Sequence, residues 1–99
     1  MSEKLDPEPL EQLVEALLFV ADGPVRVADL AQALQADEGA VQMAVERLQS
    51  ALAGRGIRLQ RTQDALQLVS APEAAEYVER FLGLHLTTKL SRAALETVA

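Results

Sequence analysis

The sequence predicts a mostly helical α+β domain, and three observations carry that expectation. Apolar residues recur at spacings of three and four in successive segments up to Gly54. The period then switches to two between Ile57 and Val69, and it returns to three and four after Pro72. The chain has 99 residues, 49% of them hydrophobic, which is enough for one domain with a core of its own. Its only aromatic residues are Phe19, Tyr77 and Phe81, so that core must be built from Leu, Val and Ala.

Residues 1–8 read as a flexible, acidic tail, with the domain proper over 9–84. In the first helix, from about Glu8 to Ala21, the apolar stripe is Leu10, Leu13, Val14, Leu17, Leu18 and Ala21. Pro7 and Pro9 are tolerable in a first turn. Phe19 and Val20 widen the stripe until the C-terminal half is apolar almost all round, which implies packing on more than one side. Asp22-Gly23-Pro24 breaks the helix. A short second helix spans about Val27 to Gln35, with Leu30, Ala31 and Leu34 inward; Arg26, at its cap position, is a poor cap.

Asp37 is placed to cap a third helix, and Glu38 suits the positive end of its dipole. Val41, Ala44, Val45, Leu48 and Leu52 share one face, and the helix stops near Gly54. Ile57 and Leu59, then Leu66 and Leu68, alternate with polar residues around Thr62-Gln63-Asp64-Ala65. This predicts a β-hairpin with one buried face. Pro72 opens a fourth helix to about Leu84, with Ala74, Val78, Phe81 and Leu82 inward. Three helices, a hairpin and a fourth helix make the winged-helix arrangement, in which helices two and three form a helix-turn-helix and the hairpin is the wing.

Charge argues against the nucleic-acid role this fold often has. The formal net charge is −6, and residues 1–53 carry three basic and ten acidic side chains. A base-reading third helix needs Arg, Lys, Asn or Gln at its start. Here the start is Asp37-Glu38, and the outer face offers Gln42, Glu46, Arg47, Gln49 and Ser50. Only Arg55, Arg58 and Arg61 on the wing suit phosphate contact, and a solvated strand face explains them better. Direct sequence-specific DNA binding is not expected.

Chemistry is equally ill served. His85 is the only histidine, and there is no cysteine and no Gly-rich phosphate loop. Glu73, Glu76 and Glu79 recur at three, but without a nearby histidine or cysteine they read as a solvated helix face, not a metal stripe. No catalytic residue, cofactor, metal or small-molecule substrate is expected. No apolar run approaches the roughly 20 residues of a membrane span, and the acidic N-terminus is no secretory signal. A cytoplasmic protein is expected.

Surplus apolar positions then point to a protein partner. Leu18, Phe19 and Val20 cannot all face one core. Met43 lies off the third helix's stripe, Val69 points away from Leu66 and Leu68, and Leu84 and Leu86 follow the fourth helix. At the far end, Ser91 is a good N-cap, with Leu90 and Leu95 at the positions of a hydrophobic staple. A helix is expected to begin there.

Two stretches carry a family resemblance: Glu15 to Pro24, EALLFVADGP, and Leu90 to Ala99, LSRAALETVA. With the wing and AAEYVERFL between them, the chain from about Leu10 to Ala99 resembles the bacterial segregation and condensation protein B family, ScpB. The resemblance implies two winged-helix domains in tandem. Residues 85–99 are then expected to be a linker and the first turns of a second domain. It also implies a non-enzymatic, nucleoid-associated subunit of the SMC–kleisin condensin complex. Such a subunit is a homodimer, through the N-terminal domain, and binds the kleisin ScpA and through it SMC. Two positions depart from the family pattern: Arg26 stands for a small polar cap, and Gln63-Asp64-Ala65 for a Gly-rich wing tip.

Overall fold

The computed structural model describes residues 7–84. They fall into two compact units, one running to Val69 and one beginning at Ser70. The first unit holds helix α1 (Pro7–Val20), strand β1 (Val25–Arg26), helix α2 (Val27–Leu34), helix α3 (Glu38–Ala51) and the hairpin strands β2 (Ile57–Thr62) and β3 (Ala65–Ser70). In the second unit a 3-10 turn, Pro72–Ala74, leads into helix α4, described over 75–84. The expected helix start at Ser91, with Leu90 and Leu95, lies outside the described residues, as does most of the expected 1–8 tail. Helix α1 already begins at Pro7.

The core follows helical geometry closely. On α3, Val41, Ala44, Val45 and Leu48 are all buried, and Leu52 closes the row just past the helix. Helix α1 packs mainly on this face. It does so through Leu10, Val14 and Leu18, one residue per turn at a spacing of four, all buried. Leu18 is therefore a core residue and offers no contact surface. Leu13, expected in the stripe, is 40% exposed. At about 100° per residue it turns away from the 10-14-18 line.

Helix α2 ends in a Schellman turn. Gln35 sits in the left-handed region at φ 53°, and the Ala36 N–H donates to the Ala31 carbonyl at 3.0 Å. Glycine usually takes that position, so this end was hard to see in sequence. At α3, Asp37 occupies the N-cap position as expected, but its side chain makes no capping hydrogen bond.

The sheet has a strand that periodicity did not show. Its order is β1-β3-β2, with Val25 opposite Leu66 and Arg26 opposite Ala65, antiparallel. A two-residue strand has no period to detect; it exists because β3 offers it a partner. This pairing explains how α2 starts without a side-chain cap at Arg26. The Val27 N–H, one of the first-turn donors that no helix satisfies internally, donates to the Asp64 carbonyl at 3.3 Å. The Arg26 guanidinium also meets the Asp64 carboxylate, Nε to Oδ2 at 3.2 Å. At the tip, Gln63 has φ 55°, a value glycine adopts without strain.

Both side chains of that pair are about two-thirds exposed, at 67% and 64%. Such pairs contribute about 0–1 kcal/mol. We expect Asp64→Ala to lower stability by less than about 1 kcal/mol, because the backbone bond to Val27 survives. A urea melt checks this. A much larger loss would mean that the side chain, and not the carbonyl, holds the wing tip.

The hairpin buries Leu59 and Leu66, with Leu68 half-buried, whereas Ile57, expected inward, is 48% exposed. It stands at the first position of β2, at the edge of the sheet. In the second unit Val78 is half-buried, but Phe81 and Leu82, expected inward, are 67% and 50% exposed. The apolar spacing on α4 is present. Periodicity establishes that apolar groups share a face, and says nothing of what covers it.

Candidate protein-binding surface

The exposed residues of α3 do not form a base-reading face. Asp37 and Glu38 stand at its start. Gln42, the side chain best suited to a base edge, accepts at Oε1 a hydrogen bond from Arg61 Nη2 at 3.0 Å. Arg58 Nε donates to the Arg55 carbonyl at 2.9 Å. Two of the three wing arginines therefore make bonds within their own domain, and one of them holds the helix residue it would have to work beside. Among the described residues, no group of three or more His, Cys, Asp or Glu side chains could hold a metal ion. His85 lies outside the described residues. No described helix is long and apolar enough to cross a membrane.

The apolar surplus has a clearer geometry. Helix α1 carries two stripes. One is the buried line of Leu10, Val14 and Leu18. The other is Gln12, Glu15, Ala16 and Phe19, spaced at three and four on the outward side. This second stripe forms one wall of a groove of about 570 Å³. Arg55 and Gly56 from the turn after α3, and Ile57 at the start of β2, form the other wall, with Leu52 and Leu68 also lining it. Phe19 is 80% exposed at this groove, the most exposed large apolar side chain described.

A shallower hollow lies between α1 and α3, lined by Glu11, Met43, Glu46, Arg47, Ser50 and Ala51. Met43 is 60% exposed there, and Arg47 Nε pairs with Glu11 Oε1 at 3.3 Å.

The residues expected at an interface are thus distributed, not gathered. Phe19 lines the first groove and Met43 the second. Val20 is 71% exposed but lines neither. Val69 is half-buried on β3, Leu84 is 65% exposed on α4, and Leu86 lies outside the described residues. Of the phosphate candidates, Arg55 lines the first groove. Glu15 and Ile57 also line this groove without having been among the expected contact residues, and Arg55 was expected only as a phosphate contact. The 12-15-16-19 spacing was the available signal for the α1 wall.

Fold and surface define the class: a winged-helix domain with an acidic third helix and an apolar groove beside its first. The sequence model of the family described as segregation and condensation complex subunit ScpB matches residues 12–99. The chain belongs to the ScpB family.

A segregation and condensation protein B of Syntrophotalea carbinolica is 43% identical over 99 residues, covering 96% of this chain and 49% of that protein. One from Clostridium botulinum is 34% identical over 91 residues, covering 90% and 47%. The chain spans about half the length of these curated relatives. The crystal structure of ScpB from Mycobacterium tuberculosis superposes with a TM-score of 0.81 at 36% identity, over 96% of this chain and 61% of that one. The crystal structure of a dimer of the ScpB N-terminal domain complexed with a ScpA peptide gives 0.68 at 28% identity, over 75% of this chain and 95% of that one.

Proposed function

We propose that this chain is a non-enzymatic, dimerising subunit of a bacterial SMC–kleisin condensin complex. It binds the kleisin ScpA and through it acts with SMC in chromosome condensation and segregation. The observation that carries this reading is the likeness to a solved ScpB N-terminal domain that is itself a dimer holding a ScpA peptide. The chemistry on the surface supports it. A groove with an exposed phenyl ring suits a protein contact, whereas an acidic α3, and wing residues Arg58 and Arg61 bonded within the domain, do not suit a phosphate backbone. The site of action would be the cytoplasm, at the nucleoid.

Calorimetric titration of the chain with the central segment of the matching ScpA tests the reading. Saturable heat at a fixed stoichiometry is the expected result. Silence with this chain would leave the family membership without its function.

A further inference from the structure

The net charge of −6 makes self-association a constrained problem, and the two hollows solve it differently. In a two-fold dimer the same patch meets itself, so each residue must tolerate its counterpart's surroundings. The hollow between α1 and α3 fails that test. Arg47 there is engaged with Glu11, which leaves the charge of Glu46, and Glu38 lies on the same helix. Apposed to itself, this surface would set carboxylates against carboxylates.

The groove beside α1 passes the test. Its lining is mostly apolar, with Phe19 and Ile57 exposed, and among the described residues that line it the charges are one of each sign, Glu15 on the helix wall and Arg55 on the opposite wall. Both side chains are exposed, and among the described residues neither makes an ion pair. A patch with an acid on one wall, a base on the other and apolar groups between is complementary to its own two-fold image.

We infer that this groove is the surface on which a second copy of the chain docks, with Glu15 of each copy opposite Arg55 of the other and the Phe19 rings buried between them. The inference rests on the dimer reading proposed above and gives that dimer its surface.

A charge-swap mixture tests it. Glu15→Arg places like charges opposite Arg55 twice in a homodimer, and Arg55→Glu does the same with carboxylates. Each variant alone is expected to dimerise at least about tenfold more weakly than the parent at low salt. Mixed in equal amounts they restore both pairs, so a heterodimer of near-parental affinity is expected. Sedimentation equilibrium of the 99-residue chain reads all three samples, with circular dichroism as the check on folding. Should a swap unfold the chain, E15Q and R55Q read the same pair with a smaller loss.

A parent dimer unaffected by either swap would overturn the placement and leave the dimer reading standing. Weakened variants that fail to recover on mixing would overturn the reciprocal pairing. A parent chain that stays monomeric at about 100 μM, a concentration at which a micromolar dimer would be nearly complete, would remove the dimer reading and this inference together.

Discussion

Replacing Leu66 by alanine is expected to remove about 3 kcal/mol of folding stability. Leu66 is completely buried, lies on the central strand of the three, and faces Val25 across the β1–β3 pairing. It belongs to the same buried cluster as Leu10, Val14, Leu30 and Val45. Truncation loses the transfer free energy of the missing carbons. It also leaves a cavity, because helices and sheet converge there and cannot all relax toward it. Large-to-small changes at such sites cost about 2–5 kcal/mol, against a total of about 5–15 kcal/mol for a domain. In urea, with a slope of about 1 kcal/mol/M for a chain of this size, the midpoint should fall by about 2–3 M. Met43→Ala is the matched control. Its side chain is 60% exposed, so a change within about 0.5 kcal/mol is expected. Both chains should be unfolded at one fixed concentration, since self-association adds to apparent stability. A Leu66→Ala loss below about 1 kcal/mol would show that the site collapses readily and is not the keystone of the sheet.

Where the sequence could be read, one physical period dominated. The inward face of α3 was legible in full because a helix flanked by acidic side chains has only one stripe to bury. The hairpin was legible because two is a different period from 3.6. Leu18 was misplaced because Leu17 to Val20 is an unbroken apolar run. Only the fixed step of four from Leu10 and Val14 distinguishes it from Phe19 and Val20. Strand β1 and the start of α2 were not legible, because their hydrogen bonds come from Ala65, Leu66 and the carbonyl of Asp64, some forty residues on. Likewise, the left-handed residues Gln35 and Gln63 carry no glycine to announce them. The groove assembles residues from α1, the turn after α3, β2 and β3. Its most exposed member, Phe19, was visible as surplus. Its charged walls were not, since Glu15 and Arg55 come to line one groove only through the packing of the first unit.

Phe19→Glu is expected to dissociate the proposed dimer while leaving the monomer folded. The ring is 80% exposed, so the fold loses almost no buried area, and a stability change within about 0.5 kcal/mol is expected. Association is different, because each dimer holds two copies of the residue. Losing one well-placed aromatic anchor costs at least about 2 kcal/mol, and every 1.4 kcal/mol is tenfold in Kd. A dissociation constant raised by at least about 30-fold is the conservative expectation, and approaching 1,000-fold if both copies count separately. Sedimentation over a concentration series measures this, beside a thermal melt of the same protein. An unchanged mass would take Phe19 out of the interface, and global unfolding would mean that the ring supports the fold despite its exposure. Salt then separates the two kinds of contact. Raising it to about 1 M shortens the screening length to roughly 3 Å, so the like-charge repulsion in Glu15→Arg or Arg55→Glu should relax and dimer should return in part. Phe19→Glu should recover far less, because salt screens a carboxylate but cannot replace the apolar surface that the ring supplied.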